Sequence, residues 1–177
     1  SITDDRLHLV SEVLVAAVRH AGDADEVGDL ARLIIELDAS FPGDPGILAA
    51  CLMNHVTLKP GEAVFVPPGT MHAHLSGTGV EVMANSDNVL RAGLTDKHVD
   101  KPELLATVEF AIMYPQVLRP DYVGIEQEIP IPVADFRLSF LRPDGQHPFS
   151  VGGQGEIELL YGLRGQMTLT AADGETW

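Results

Sequence analysis

Two histidines, His72 and His74, stand one residue apart within the stretch PGEAVFVPPGTMHAHLSG, residues 60–77. Imidazole is a common metal ligand and carries protons near neutral pH, so two histidines on one face could do chemistry. Side chains at positions i and i+2 of a strand point to the same face, and an extended backbone here would direct both rings to one side. The pair therefore either lines a site or lies on a solvated face of the protein.

The residues before the histidines have the pattern of a strand between two turns. Ala63–Val66 is apolar, and a Pro-Pro-Gly sequence follows it directly. Gly61 permits a tight turn before this strand, and Pro67 and Gly69 shape the turn after it, because glycine adopts positive φ and proline restricts φ. We expect His72 to begin the next strand with its ring pointing inward.

The first part of the chain predicts helices. Residues 4–22, DDRLHLVSEVLVAAVRHAG, and residues 25–41, DEVGDLARLIIELDASF, both place apolar side chains at helical spacing. A PGDPG turn at 42–46 precedes a short apolar segment, ILAACLMN, which predicts a third helix. These residues form a helical cap without evident chemistry of its own.

From His55 onward the apolar period changes from 3.6 to 2, which predicts short strands between Pro and Gly turns. A short helix is predicted at PELLATVEF, residues 102–110. Short strands of this kind are typical of an antiparallel sandwich or barrel. The pattern at the end of the chain indicates a hairpin that enters a further strand, so we expect the sequence to be part of a longer protein. The predicted strands lie at residues 56–58, 63–66, 80–83, 135–141 and 157–172.

Acidic residues outnumber basic residues, 26 against 11, and the formal net charge is −15. Proteins that bind nucleic acid gain affinity by neutralising phosphates with Lys and Arg, so we expect no nucleic-acid partner. A phosphorylated small ligand would need a local cluster of cations that acts against the overall field.

Cys51 is the only cysteine, so no intrachain disulfide can form, which fits a reducing cytoplasm. It lies in an apolar segment, where a buried inert thiol is favoured over a nucleophile. No apolar run approaches the ~18–20 residues that span a bilayer. The first residues also lack the basic region and cleavage site of a signal peptide. We expect a soluble, cytoplasmic protein.

A second chemistry-bearing segment is VEVMANSDNVLRAGLTDKHVD, residues 80–100. Together with residues 60–77 and with FPGDPGILAACLMNHVTL, residues 41–58, it resembles type I mannose-6-phosphate isomerase, a family of zinc enzymes in the cupin superfamily. The resemblance covers residues 25–177 and is densest over 55–100. It implies an α+β, mainly β fold: a cupin-type double-stranded β-helix, or jelly roll, with an N-terminal helical subdomain.

The resemblance also implies a domain organisation. Residues 1–54 are expected to form the helical subdomain, and residues 55–114 the catalytic cupin strands with the His/Arg motif. Residues 115–177 are expected to form a linker and the start of a second, truncated cupin-like β-unit. The implied partner is a small-molecule sugar phosphate, with neither nucleic acid nor membrane, and the expected oligomeric state is a monomer.

Site residues follow from the same resemblance. His72 matches a zinc ligand of the family, so the implied cofactor is Zn2+. Arg91 and Asp87 match catalytic positions. The implied chemistry interconverts mannose 6-phosphate and fructose 6-phosphate through an enediol, and a cationic guanidinium can stabilise the negative charge that grows on oxygen. Lys97 and Glu81 match positions near the substrate, and His74 stands where the family usually has tyrosine.

The family's remaining zinc ligands, a Gln-x-His pair and a glutamate, lie well upstream in its members. Nothing before residue 55 supplies them here, and a catalytic zinc takes about three protein ligands. We therefore expect this sequence alone to bind zinc poorly and to be inactive.

Each assignment has a simpler alternative. Arg91 could pair with a surface carboxylate, and Lys97 could be a solvated loop charge. Glu81 could point outward from its strand, Asp87 could cap a helix that starts at Val89, and His74 could be a partly exposed strand residue. For the whole protein, a non-catalytic cupin module that binds a sugar phosphate or a metal is the alternative to an isomerase. A different metal-dependent cupin enzyme, such as an oxygenase, is a third possibility.

Overall fold

A computed structural model of the chain describes residues 2–86, 88–120, 124–152 and 157–176. The chain divides into two units, Ser1–Leu141 and Arg142–Trp177. This division follows packing and does not test the three functional domains expected from the sequence, which stay predictions. Each unit is therefore described by itself.

Three helices form the beginning of the first unit: α1 (Ile2–His20), α2 (Glu26–Ser40) and α3 (Gly46–Ala50). All three confirm the helices predicted from apolar spacing. Asp25 caps α2, because its side chain accepts a hydrogen bond from the Gly28 backbone N–H at 3.0 Å. None of the described helices combines the length and the apolar character needed to cross a membrane.

The core of the first unit lies between these helices. Leu30, Leu33 and Leu94 pack against its edge. Gly28 lets the start of α2 approach the turn after α1, because a Cβ there would lie 2.0 Å from the Asp23 carbonyl oxygen. The apolar periodicity of the two long helices thus becomes a buried interface. The buried apolar residues of this cluster are Val10, Ala17, Ala31, Ile34, Leu37, Ile47 and Ala50.

The remaining elements of the first unit are short. Strand β1 (Ala63–Val64) pairs antiparallel with β2 (Val117–Leu118), and helix α4 (Lys101–Thr107) lies between them in sequence. Strand β3 (Glu126–Glu128) pairs antiparallel with β4 (Ser139–Leu141). Both helices and strands occur, as the α+β class requires. Helices outweigh the short strands among the described residues, so the expected mainly β character is not found there. The jelly roll stays a prediction, since neither sheet of the described residues has more than two strands.

Several predicted strands do not form in the part of the chain that the structure describes. Residues 56–58 and 80–83 have no regular secondary structure, and residues 157–172 contribute a single antiparallel bridge, Thr170 to Thr176. An extended segment becomes a strand only when a second segment supplies its hydrogen-bond partners. The alternating pattern can be read from the sequence, but the partner cannot.

In the second unit, Asp144 organises a turn. Its Oδ1 accepts hydrogen bonds from the backbone N–H groups of Gln146 and His147, at 2.9 and 3.0 Å. Its Oδ2 lies 2.8 Å from His147 Nδ1. The hydrogen bond to His147 holds the pKa of the Asp144 carboxyl below its ordinary value, and the two backbone bonds act in the same direction.

Candidate functional site

Two glycine turns bracket the strand that leads to the histidines. Gly61 has φ 87°, and the Glu62 N–H donates to the Lys59 carbonyl at 2.9 Å. Gly69 has φ 77°, and the Thr70 N–H donates to the carbonyl of Pro67 at 3.3 Å. Positive φ at the third turn residue is the geometry that favours glycine there. The turns predicted at both glycines are confirmed.

The second turn is held against the end of α4. The Glu109 N–H donates to the Gly69 carbonyl oxygen at 2.9 Å. A Cβ at Gly69 would lie 3.1 Å from Glu109 Cγ and 3.2 Å from the Thr107 carbonyl oxygen, closer than ordinary packing allows. Glycine is therefore required at this position both by backbone conformation and by space.

The first turn is tied to β2 by a cross-strand ion pair. Arg119 Nε donates to Glu62 Oε1 at 2.8 Å, and Glu62 Oε2 accepts from the Lys59 backbone N–H at 2.8 Å. The backbone bond from Lys59, followed by the bond from Arg119, lowers the pKa of the Glu62 carboxyl. The Glu62 side chain is 11% exposed and that of Arg119 is 69% exposed. Sequence reasoning missed this pair, because the partners lie 57 positions apart.

His72 lies three residues after Gly69, just beyond the second turn. Its Nδ1 lies 3.1 Å from the Thr70 carbonyl oxygen, which can only accept, so the neutral ring carries its proton on Nδ1. Its Nε2 then presents a lone pair and lies 3.9 Å from Glu81 Oε1. The His74 ring lies 6.0 Å from the His72 ring, centroid to centroid, at 65°. The structure thus brings together three residues singled out in the sequence.

This trio, His72, His74 and Glu81, lies in solvent. The side chains of His72 and Glu81 are 48% and 62% exposed. Residues 72–74 form no paired strand, so the expected inward-pointing ring is not found, because no described segment pairs with this part of the chain. The trio is a surface cluster in this structure.

Arg91 and Lys97 lie on a separate segment, residues 91–97, which is held at its middle. The Leu94 N–H donates to Asp44 Oδ2 at 3.2 Å, and the Leu94 side chain packs against the helical core. Both cationic side chains are exposed. Within the described residues, no hydrogen bond or ion pair joins either of them to the trio.

Asp87 lies outside the described residues, so its predicted catalytic role stays a prediction. The alternative for it, a cap on a helix starting at Val89, is wrong, because residues 88–90 are not helical. Cys51 is partly buried, its Sγ donates to the Ile47 carbonyl at 3.4 Å, and burial raises the pKa of its thiol. A thiol that is harder to ionise is a poorer nucleophile, which supports the inert alternative.

A zinc site requires particular distances between its ligand atoms. Ligand atoms lie about 2.0–2.3 Å from zinc, so two ligands of a tetrahedral site stand roughly 3.3–3.7 Å apart. The 3.9 Å between His72 Nε2 and Glu81 Oε1 is close to that separation. No group of three or more His, Cys, Asp or Glu that could hold a metal occurs among the residues that the structure describes. The role of His72 as a zinc ligand therefore stays a prediction.

Several mannose-6-phosphate isomerases are similar to this chain in sequence. The mannose-6-phosphate isomerase of Escherichia coli K12 is 50% identical over 110 residues, which are 61% of this chain and 27% of the relative. That of Salmonella typhimurium LT2 is 41% identical over 155 residues, 86% of this chain and 39% of the relative. Mannose-6-phosphate isomerase 1 of Arabidopsis thaliana is 34% identical over 154 residues, 84% of this chain and 35% of the relative.

These relatives are all isomerases by name. The chain is homologous to mannose-6-phosphate isomerases, which confirms the resemblance found in residues 41–58, 60–77 and 80–100. The chain spans about a quarter to two fifths of the length of these curated relatives. No protein-family model matches the chain, and no solved structure matches it.

Proposed function

We propose that the protein carrying this sequence is a zinc-dependent isomerase that interconverts mannose 6-phosphate and fructose 6-phosphate through an enediol. The observation that carries the proposal is the 41% identity over 155 residues to the Salmonella typhimurium mannose-6-phosphate isomerase. The proposal includes the cupin jelly roll that the family resemblance implies.

In this proposal His72 contributes one ligand to the metal, and Glu81, whose Oε1 lies 3.9 Å from His72 Nε2, contacts the substrate. The Thr70 carbonyl holds the proton on His72 Nδ1 and so directs the lone pair of Nε2 away from the turn. Glu81 supplies the nearest carboxylate oxygen to that lone pair. Bound zinc would act as a Lewis acid that orients the sugar and polarises its carbonyl oxygen. His74, whose ring stands beside that of His72, is proposed to contact the substrate.

Arg91 is proposed to stabilise the negative charge of the enediolate. Isomerisation moves a proton between C1 and C2, and negative charge grows on oxygen when that proton leaves. A guanidinium remains cationic at all relevant pH values and can donate two parallel hydrogen bonds to oxygen. Its side chain is exposed and forms no ion pair with any carboxylate of the described residues, which leaves it available to a substrate. Asp87 stays the proposed catalytic carboxylate.

Lys97 is proposed to bind the phosphate. The net charge of −15 repels a phosphorylated ligand at long range, so capture requires local cations. Lys97 is exposed and stands six positions from Arg91 on the segment that Asp44 anchors. The other partner proposals follow the composition: neither nucleic acid nor membrane, a monomer, and a reducing cytoplasm in keeping with the single cysteine.

The test uses the intact protein that carries these residues. Isomerase activity is measured by a coupled assay with mannose 6-phosphate, and zinc content by metal analysis of the same sample. Arg91→Ala is expected to lower kcat by roughly 100-fold or more, as when one donor to a developing oxyanion is removed. Arg164→Ala, a change at an exposed arginine of the second unit, is the matched control and is expected to leave kcat unchanged.

A non-catalytic module that binds a sugar phosphate or a metal is the second candidate. Among the described residues no group of three or more His, Cys, Asp or Glu could hold a metal, whereas catalytic zinc normally has about three protein ligands. Full zinc occupancy without conversion of mannose 6-phosphate would select this candidate and reject the isomerase. Arg91→Ala would then weaken binding of the sugar phosphate without any change in turnover to measure.

A further inference from the structure

The carboxylate of Asp44 joins two parts of the chain that lie far apart in sequence. Its Oδ1 accepts a hydrogen bond from the Gly46 N–H at 2.7 Å, where α3 begins. Its Oδ2 accepts from the Leu94 N–H at 3.2 Å, across 50 positions of sequence. One carboxylate therefore holds the start of a core helix and the middle of segment 91–97 together.

The backbone at Leu94 shows that this junction constrains the chain. Leu94 has φ 50°, and it is the only described residue other than glycine with positive φ. A residue with a side chain adopts that conformation at an energetic cost, so surrounding contacts must hold it in place. The hydrogen bond to Asp44 and the packing of the Leu94 side chain against the helical core are those contacts.

Two glycines make the close approach possible. A Cβ at Gly46 would lie 3.0 Å from Leu94 Cγ, 3.2 Å from Leu94 N and 3.0 Å from Asp44 Oδ1. A Cβ at Gly93 would lie 3.4 Å from the Gly46 Cα. The two backbones are thus packed against one another around the carboxylate, so a side chain at Gly46 would have to displace its neighbours.

We propose that Asp44 is a positioning residue for Arg91 and Lys97. These cations lie three residues before and three residues after Leu94, so the anchored residue sets the course of the backbone to both. The inference rests on the proposed function for its catalytic consequence. The anchoring itself rests only on the hydrogen bonds and packing at the junction.

The first test measures anchoring without reference to activity. In the intact protein, Asp44→Asn replaces one acceptor oxygen with an NH2 group, which cannot accept a hydrogen bond. Amide hydrogen exchange at Leu94 is expected to accelerate by about 10-fold or more, while exchange in α1 and α2 stays unchanged. The control is Asp38→Asn, because Asp38 Oδ1 accepts from the Gly43 N–H at 2.9 Å in the neighbouring turn and does not hold segment 91–97. Unchanged exchange at Leu94 in Asp44→Asn would overturn the proposal.

The second test measures the catalytic consequence. Asp44→Asn is expected to lower kcat by roughly 10-fold to 100-fold with zinc content unchanged, because small displacements of a catalytic group are costly. In an Arg91→Ala background the same change is expected to lower kcat much less than in the wild type, since Arg91 is gone and only the positioning of Lys97 can still be lost. Additive losses in the double variant would overturn the role of Asp44 as a positioning residue for Arg91.

If Asp44→Asn does not fold, a second variant can test the same anchoring. Gly46→Ala leaves the carboxylate intact but forces Leu94 away from α3, and it is expected to accelerate exchange at Leu94 and to lower kcat in the same way. Gly22→Ala, where a Cβ would meet no atom within 4 Å, is the matched control. Because alanine favours helix over glycine, a Gly46→Ala variant with stronger protection at Leu94 would contradict the proposal.

The two tests separate the two proposals. A wild-type protein without isomerase activity would reject the proposed function, and the exchange measurements would still decide whether Asp44 anchors segment 91–97. An active wild type whose Asp44→Asn variant exchanges normally at Leu94 would reject the anchoring and leave the isomerase standing.

Discussion

The helical part of the first unit and the segment that carries the histidines differ in how their apolar residues are used. In the helices, one face of the apolar side chains is buried, with Ile47 0% exposed, whereas Leu7 and Val18 stay exposed. In residues 72–86 every residue is exposed, including Leu75, Val80 and Met83. Both parts have a regular apolar pattern, but only the helical pattern produces a core.

The difference lies in where each element finds its hydrogen bonds. A helix satisfies its backbone within the same segment, four residues apart, and two helices then need only a shared apolar face. A strand needs a second segment. Residues 72–86 are instead held from outside, by the Gly69 turn against the end of α4 and by Leu94 against Asp44. The candidate site therefore depends on two anchors more than on its own packing.

The largest effect is expected in the helical core. Ile47→Ala removes a fully buried side chain and is expected to lower the free energy of unfolding by about 2–5 kcal/mol. Val80→Ala, at an exposed position of the site segment, is expected to change it by no more than about 0.5 kcal/mol. Urea unfolding of both variants measures the contrast. If both variants lost the same free energy of unfolding, Val80 would have to be buried in the protein. The contrast between the helical core and the site segment would then be wrong.

An anchor of the site is expected to have an intermediate effect. Gly69→Ala places a side chain at φ 77° and against the Thr107 carbonyl, and we expect a loss of about 1–3 kcal/mol together with lower isomerase activity. Gly79→Ala meets no atom within 4 Å and has no positive φ, so it is the matched control. Wild-type stability and activity in Gly69→Ala would show that the turn does not hold His72.

A smaller loss of stability is expected when a helix cap is removed, and the loss should differ between α2 and α4. Asp25→Ala removes the cap of α2, which packs in the core, and is expected to cost about 1 kcal/mol. Asp100→Ala removes the equivalent bond to the Glu103 N–H at the start of α4, a seven-residue helix without buried residues. We expect a smaller loss there, because little packing depends on α4. Thermal unfolding of the two variants provides the measurement, and a larger loss for Asp100→Ala contradicts the ranking.

The smallest effect concerns pH. The folded state lowers the pKa of Glu62 from its ordinary value of 4.5, so its ionised form stabilises the fold above that pH. This contribution is lost as the pH falls through the lowered folded value. Glu62→Gln is expected to flatten the fall in stability below pH 4.5, and only slightly, because the partner Arg119 is exposed to screening solvent. If the stability of Glu62→Gln depended on acid pH as that of the wild type does, the Glu62–Arg119 ion pair would not stabilise the fold around β1 and β2.

The helices and the turns at Gly61 and Gly69 could be predicted from the sequence. Their signals are local: apolar spacing and glycine after proline. The roles of His72 and Arg91 came from resemblance to a family, and the structure tests only their positions. The strands predicted at residues 80–83 and 157–172 were not found as paired strands among the described residues, because alternation predicts a strand without predicting its partner.

By itself the sequence determined which segments are helical, where the chain turns and which family the chain resembles, since these depend on neighbouring residues and on shared motifs. Only the tertiary structure decided that Glu62 meets Arg119 and that Asp44 meets Leu94, across 57 and 50 positions. Such contacts depend on how distant segments pack. The sequence shows a carboxylate in a turn, but it does not show which distant group that carboxylate binds.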